Sequence, residues 1–163
     1  MSETNGLSAK RSVLRTRLFN GKEQIFCEWR HRWVRLTPEE WVRQQLLHRL
    51  VGEYGYPASL IAVEVPLEKI SIVSRQSSNR QSLRADAVVY DGAMQPLVLI
   101  ECKAETVPLT QKTLDQAVTY NRKLNVPYLL LYNGPQTVFV RLDKEKVEFY
   151  AAVPTFKEMT NGK

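Results

Sequence analysis

The stretch that decides the fold is Arg84-Ala85-Asp86-Ala87-Val88-Val89-Tyr90, followed after a turn by Leu97-Val98-Leu99-Ile100-Glu101-Cys102-Lys103. Both segments are rich in aliphatic residues, and the residues between them, DGAMQP, favour a tight turn. The pair therefore predicts an antiparallel β-hairpin. Because side chains alternate along a strand, one face of this hairpin is uninterruptedly apolar; it consists of Ala85, Ala87, Val89, Val98, Ile100 and Cys102.

The opposite face of the hairpin carries the polar residues. If Asp91 faces Pro96, the register places Asp86 directly opposite Glu101, where side chains in antiparallel strands lie close together. Lys103 shares the face of Glu101 because it lies two residues further along the strand. A slip of one residue in one strand would separate these three side chains.

Two carboxylates held this close favour a bound cation. Their mutual repulsion raises one pKa unless a positive charge lies between them. Mg2+ prefers oxygen ligands, and Asp86, Glu101 and a main-chain carbonyl, for which we take Cys102, would leave positions for water and a phosphate. A lysine beside such an ion can act on the attacking water and stabilise charge on a phosphate. The alternative is a cross-strand ion pair on a solvated face.

Helices are predicted before and after the hairpin. Thr37 as N-cap, Pro38 at the first helical position and Glu40 as capping-box partner indicate a helix that runs to about Tyr54. A second helix is expected over residues 110–124. Further strands or ribbons are expected over residues 24–34, 60–67, 70–74, 128–132, 137–142 and 147–153, with a loop over 75–81. This order predicts a mixed α/β (α+β) fold with a central sheet flanked by helices.

The polar residues also match a known pattern. Asp86, Glu101-Cys102-Lys103 and the segment 116–120 (QAVTY) resemble the D…ExK…QxxxY pattern of the PD-(D/E)XK nuclease superfamily. More narrowly, residues 25–143 resemble the N-terminal nuclease domain of type I restriction enzyme R subunits, in a short stand-alone form. The strings that carry this resemblance are LTPEEWVRQ (36–44), RADAVVY (84–90), IECKA (100–104) and YLLLYNG (128–134).

The resemblance implies a restriction endonuclease-like αβββαβ core and a role for each matching residue. Asp86 and Glu101 would bind Mg2+ or Mn2+, Lys103 would serve hydrolysis, and Gln116 and Tyr120 would support the site. Gln116 and Tyr120 are four residues apart, so they share a helix face. Without the neighbouring ExK motif, they would be taken as an exposed Gln and a half-buried Tyr.

The first helix adds two charged candidates. Glu39 and Arg43 project inside the apolar stripe of this helix. The superfamily often supplies an acidic residue from this helix to the metal, so Glu39 is the candidate ligand, with Arg43 as its partner or a phosphate contact. The alternative is an Arg43–Glu39 ion pair at the exposed end of the stripe.

The net charge of +6 lies mainly near the N terminus, since residues 1–35 contain eight of the 23 cations and only three of the 17 anions. Such a surplus favours polyanionic partners. Cations of this region, interleaved with tryptophans, are candidate phosphate contacts or a solvated strand face; they are Arg30, Arg32 and Arg35. Further candidates near the hairpin are Arg75, Arg80 and Arg84.

Several functional classes are not expected. The sequence shows no signal-peptide core and no membrane-length apolar run. It contains no GxxxxGK[ST] or GxGxxG motif, and Cys27 and Cys102 match no zinc spacing, so we expect reduced core thiols. A cytoplasmic protein with no membrane association and no ATP site is therefore expected. The length of 163 residues leaves no room for the motor domains of R subunits.

We therefore expect a flexible basic arm (residues 1–22), a nuclease-like domain (23–155) and a C-terminal tail (156–163). The hypothesis is a Mg2+-dependent endodeoxyribonuclease acting on DNA. The alternative is a non-catalytic nucleic-acid-binding or protein-interaction module on the same scaffold. Double-strand cleavage with one site in each chain would favour a homodimer.

Overall fold

The computed structural model describes residues 14–70 and 83–161. Its strands are β1 (Thr16–Phe19), β2 (Lys22–Cys27), β3 (Arg32–Arg35), β4 (Ile61–Pro66), β5 (Arg84–Tyr90), β6 (Pro96–Cys102), β7 (Tyr128–Tyr132), β8 (Thr137–Leu142) and β9 (Val147–Tyr150). Its α-helices are α1 (Pro38–Gly52), α2 (Gln111–Leu124) and α3 (Phe156–Thr160), and short 3-10 helices cover Ala58–Leu60 and Leu67–Lys69.

The strands form two sheets. Strands β1, β2 and β3 form an antiparallel three-strand sheet, and β4 to β9 form a six-strand sheet in chain order. In the larger sheet β6 and β7 are parallel and the other neighbours antiparallel. One face packs against α1 and α3 and the other against α2. The predicted mixed α/β fold with a central sheet between helices is confirmed.

The start of α1 follows the predicted N-cap. The side chain of Thr37 accepts a hydrogen bond from the main-chain N–H of Glu40 at 3.0 Å, and Pro38 occupies the first turn. The Glu40 carboxylate, however, accepts from Gln44 and pairs with Arg43 instead of returning to the cap. The capping-box role of Glu40 was therefore a wrong prediction, because a buried arginine competes for its carboxylate.

The second helix matches its predicted limits. Thr110 is its N-cap and forms a reciprocal box with Thr113. Its C-cap, Asn125, has a left-handed conformation with φ of 56°, which asparagine tolerates better than most residues. The buried Asn121 side chain donates to the main-chain oxygen of Val126 at 3.0 Å and so closes the helix end.

The register of the central hairpin is the predicted one near the polar residues. Ala87 pairs with Ile100 and Val89 with Val98. At the turn the register shifts, so that Tyr90 and not Asp91 faces Pro96. The Asp91 carboxylate instead accepts hydrogen bonds within the turn. The prediction for the turn was wrong, but the shift lies at the far end of the hairpin from Asp86 and leaves its register unchanged.

The ends of the predicted nuclease-like domain fall within regular structure. The boundary at residue 22 lies inside the three-strand sheet, since β1 begins at Thr16. The segment predicted as a C-terminal tail forms α3, whose Met159 is buried in the core. The ribbon expected over 24–34 is the β2–β3 hairpin. The strand expected at 70–74 falls almost entirely outside the described residues, and the loop expected at 75–81 lies wholly outside them.

Candidate active site

Asp86 and Glu101 lie opposite each other in the middle of the six-strand sheet. The pairing of Ala87 with Ile100, continued by one residue, brings them together, and their carboxyl groups share a hydrogen bond. Asp86 also accepts a bond from the main-chain N–H of Cys102 at 2.7 Å. These contacts hold both carboxyl groups in one place.

The electrostatics of this pair favour a shared positive charge. Burial, followed by the charge of Asp86, raises the pKa of Glu101 to about 8. Burial also raises the pKa of Asp86, against the opposing effect of the Cys102 N–H. These shifts favour a proton shared by the two carboxyl groups near neutral pH. A cation between the carboxyl groups would replace that proton.

Lys103 follows β6 directly and supplies positive charge beside the pair. Its main-chain N–H donates to the carbonyl oxygen of Tyr132 at 2.9 Å, which fixes the chain where β6 ends. Its charge lowers the pKa of both Glu101 and Glu39. Asp86, Glu101 and Lys103 therefore lie in one region, which we call the centre, and their joint role stays a prediction.

Glu39 lies in the first turn of α1, where the charges of Asp86 and Lys103 act on its carboxyl group. Its side chain is exposed, yet partial burial of the carboxyl, followed by the charge of Asp86, raises its pKa. Lys103 and Arg43 act in the opposite direction. The charges of Asp86 and Lys103 therefore reach Glu39, and its role as a metal ligand stays a prediction.

Arg43 is buried among carboxylates. It is only 6% exposed, forms ion pairs with Glu40 and Glu64, and lies 3.4 Å from an oxygen of Asp86. These charges raise the pKa of its guanidinium against the effect of burial. The expected pairing with Glu39 is replaced by a pairing with Glu40. Arg43 therefore balances the acidic charge around it, and its role as a phosphate contact stays a prediction.

Glu64 was missed by the sequence analysis. It lies in β4, where its carboxylate pairs with Arg43, and its charge raises the pKa of Asp86. Its φ of 52° is left-handed although the flanking residues keep a regular register with β5. Unusual backbone at such a point is typical of functional sites. In the sequence, Glu64 could have been recognised as the one charged residue of the otherwise apolar strand Ile61–Pro66.

On α2, Tyr120 and Gln116 differ in burial. Tyr120 is half-buried, and burial, followed by the charge of Glu101, raises the pKa of its hydroxyl. Gln116 is exposed one turn earlier on the same face. The two residues line one groove together with Lys112 and Lys123.

The oxygen-rich centre is chemically suited to a hard divalent cation. Glu39, Asp86 and Glu101 offer carboxylate oxygens, the ligands that Mg2+ prefers. Among residues 14–70 and 83–161, no three His, Cys, Asp or Glu side chains stand in a ligand cluster. The Cys102 thiol is buried and its pKa raised, so only its main-chain carbonyl remains a candidate ligand.

The cations predicted to meet nucleic acid lie in different places. Arg84 is exposed at the start of β5, with its guanidinium 3.4 Å from the main-chain oxygen of Glu64. Arg30 is mostly buried and pairs with Glu40, whereas Arg32 and Arg35 are exposed. Arg75 and Arg80 lie outside the described residues. A cleft of about 500 Å³ between α1 and β4 is lined by residues that include Glu39, Arg43 and Glu64.

A mixed sheet between helices, with an aspartate on one central strand and Glu-x-Lys on the next, defines a nuclease-like α+β domain. Residues 38–154 match the sequence model of the type I restriction enzyme R protein N terminus. The chain belongs to this family, which places it among proteins related to restriction nucleases. The matched segment begins at α1 and leaves the three-strand sheet outside it.

A search of curated proteins finds no match. No helix within the described part of the chain is long and apolar enough to cross a membrane.

Proposed function

We propose that this protein hydrolyses phosphodiester bonds in DNA with the help of Mg2+ or Mn2+, at the centre formed by Asp86, Glu101 and Lys103. The observation that carries the proposal is the buried carboxyl pair, in which the pKa of Glu101 is raised to about 8 beside a lysine. Strongly perturbed acids beside a charge partner are typical of catalytic sites. Membership in the restriction-enzyme family points to DNA as the substrate.

The side chains have distinct roles in this proposal. Asp86 and Glu101 would hold the cation, with the Cys102 carbonyl and Glu39 as further ligands. A divalent cation in such a site supplies Lewis-acid stabilisation of negative charge on phosphate oxygens. Lys103 donates hydrogen bonds to the attacking water or to the phosphate, which orients the first and stabilises charge on the second.

The remaining residues keep the centre in position. Arg43 balances the surrounding carboxylates of Glu40, Glu64 and Asp86. Tyr120 would support the site from α2, where the charge of Glu101 acts on its hydroxyl, and Gln116 is exposed on the same helix face. Burial by these groups strengthens electrostatic interactions at the centre because it excludes water.

A second candidate function is a nucleic-acid-binding module without catalysis. One observation favours it: Arg43 already supplies a positive charge 3.4 Å from Asp86, so the centre has a built-in counter-ion. In that case the carboxylates would be a structural ion-pair network. Metal binding separates the two candidates.

Cleavage of DNA tests the first candidate. We expect the purified protein to cut DNA in Mg2+ and to lose this activity in EDTA. Glu101→Gln should lower the rate by about 100-fold or more, as expected for a residue that stabilises the transition state. Glu145→Gln is the matched control, since Glu145 is an exposed glutamate in the β8–β9 turn. Equal cleavage by wild type and Glu101→Gln would contradict the assignment.

Calorimetry with Mn2+ tests the ligand set without relying on activity. We expect one site in the wild type, which Asp86→Asn and Glu101→Gln abolish and Glu145→Gln retains. DNA binding without any metal site would favour the second candidate. Parallel assays with RNA establish which nucleic acid is the substrate.

A further inference from the structure

The three-strand sheet has one face that turns away from the core. Its strands pair so that Arg17, Gln24 and Arg35 lie side by side, as do Phe26 and Trp33. We call this surface the outer face. Its eight positions are Arg15, Arg17, Phe19, Lys22, Gln24, Phe26, Trp33 and Arg35, which comprise four cations, three aromatic residues and one glutamine.

The opposite face anchors the sheet to the rest of the protein. Ile25 and Cys27 on that face are fully buried. Arg30, in the β2–β3 turn, pairs with Glu40 of α1 and donates to the sulfur of Cys27 at 3.2 Å. The outer face is therefore a surface on a fixed support.

On the outer face, arginine guanidinium groups stack on aromatic rings. The Arg17 guanidinium is 4.3 Å from the ring centre of Trp33 and 4.8 Å from that of Phe19. The Arg15 guanidinium lies 4.0 Å from the ring centre of Phe26. Arg17 is further fixed by a 2.8 Å hydrogen bond to Gln24. Guanidinium groups stacked in this way keep free N–H donors that can meet phosphate oxygens.

The charge of the outer face is strongly one-sided. Its four cations are all exposed. Glu28 contacts this surface and pairs with Arg15 at 2.9 Å, in an ion pair that is half-exposed at both ends. Phe19 adds an aromatic side chain that is 51% exposed. Cations that track a backbone, combined with exposed aromatic rings, are the features of single-strand nucleic-acid binding.

We propose that the outer face binds a strand of DNA, with its arginines on the phosphates and Phe19 against a base. The inference rests on the proposed function for the identity of the nucleic acid. It goes further because the outer face lies before residue 38, where the family match begins, and is separate from the centre at Asp86. DNA is the occupant that its charge complements.

The binding experiment uses the full chain in EDTA, so that no metal-dependent cleavage interferes. Fluorescence anisotropy measures binding of labelled 20-nucleotide single strands and duplexes over a range of salt concentrations. Arg17→Ala/Arg35→Ala is compared with Lys144→Ala/Lys146→Ala, which removes the same charge from the exposed β8–β9 turn. Circular dichroism verifies that all variants are folded.

We expect Arg17→Ala/Arg35→Ala to bind about tenfold or more weakly than Lys144→Ala/Lys146→Ala. The salt slope should fall by about 0.7 for each lost contact with a single strand and by about 0.9 with a duplex. Phe19→Ala should weaken single-strand binding by about fivefold or more and change duplex binding little. Arg17→Lys/Arg35→Lys should retain the salt slope, because both charges remain.

Three outcomes would overturn the inference: no DNA binding by the wild type, equal binding by the two double variants, or a dimer that Arg17→Ala/Arg35→Ala disperses. The last would assign the outer face to self-association. The proposed function fails separately. If Arg17→Ala/Arg35→Ala loses DNA binding but the wild type never cleaves DNA in Mg2+, the proposed catalysis is rejected and DNA binding by the outer face is supported. If DNA is cleaved and both double variants bind equally, only the outer face is rejected.

Discussion

Two forces act on the Glu101 carboxyl in the same direction. Burial and the neighbouring charge of Asp86 both disfavour its ionised form, and together they raise its pKa to about 8. Lys103 opposes this effect only in part. The free energy that keeps Glu101 protonated is the free energy that a cation at the same place would recover.

This pKa shift predicts a specific dependence of stability on pH. Between pH 4.5 and about 8 the native protein retains a proton on Glu101 that the unfolded chain has released. The free energy of unfolding in EDTA should therefore fall as pH rises through this window. At about 1.4 kcal/mol for each pKa unit, the fall amounts to roughly a few kcal/mol. Thermal unfolding from pH 5 to 8 measures it.

Glu101→Gln should flatten this dependence, because the amide does not titrate, whereas Glu145→Gln should leave it unchanged. Added Mg2+ should stabilise the wild type most at pH 8, where the cation has the fewest protons to displace. A wild-type protein in EDTA whose stability is unchanged or rises from pH 5 to 8 would contradict the pKa assignment.

Arg43 supports a second prediction at the scale of one residue. Arg43→Met removes a buried charge that faces Glu40, Glu64 and Asp86, and leaves their carboxylates without it. Breaking a buried ion pair typically costs about 3–5 kcal/mol. Chemical denaturation should show a loss of this size. Arg122→Ala, at an exposed position in the last turn of α2, should cost less than about 1 kcal/mol; equal losses would mean that Arg43 is not essential to the network.

The sequence predicted the site where the residues follow strand geometry. Asp86, Glu101 and Lys103 follow from alternation and a hairpin register, which are local rules. The Glu64–Arg43 ion pair could not be predicted in this way. It depends on how α1 packs across β4, a contact between elements distant in the sequence.

At the scale of the element, β4 contains an unusual residue at its centre. Val63 and Val65, on either side of Glu64, pair with β5, while the Glu64 backbone adopts a φ of 52°. A left-handed conformation costs a residue with a Cβ roughly 1–2 kcal/mol, and glycine avoids this cost. The strand therefore contains strain where its carboxylate meets Arg43.

We expect this strain to reverse the usual order of stability of glycine and alanine variants within a strand. Within a strand, glycine is ordinarily less stable than alanine by about 0.5–1 kcal/mol. At position 64 both substitutions remove the same carboxylate, but only glycine accommodates the backbone. Glu64→Gly should therefore be more stable than Glu64→Ala by about 1 kcal/mol in urea denaturation. The pair Val63→Gly and Val63→Ala, one residue earlier in β4, should show the ordinary order, and the same order at both positions would exclude the strained conformation.

The elements were predicted well where a cap or an apolar run marks them. Thr37, Thr110 and Asn125 fix helix ends by hydrogen bonds that involve neighbouring residues only. The register shift beside Tyr90 was not predictable, because it depends on how the turn residues satisfy their own hydrogen bonds. The first strand was missed since Thr16–Phe19 is exposed throughout and carries no apolar alternation.

At the scale of the whole molecule, the three-strand sheet of β1, β2 and β3, which we call the outer sheet, is joined to the six-strand sheet that holds the candidate active site. Arg30 connects the two through Glu40, and the indole N–H of Trp29 donates to the main-chain oxygen of Ala58 at 3.2 Å. A DNA strand on the outer face would thereby be held at a set position relative to the centre.

This connection predicts that both sheets unfold together. Trp29 lies in the β2–β3 turn, Trp33 in β3 and Trp41 in α1. Tryptophan fluorescence therefore reports on the three-strand sheet and on α1. Circular dichroism reports on all the helices and strands. The two thermal transitions should coincide in the wild type, as in a two-state protein. Arg30→Ala should separate them, because it leaves the buried Glu40 with one partner fewer and frees the outer sheet to unfold at lower temperature. Arg32→Ala, at an exposed neighbouring position, should preserve coincidence; transitions that already differ in the wild type would show that the outer sheet is an independent unit.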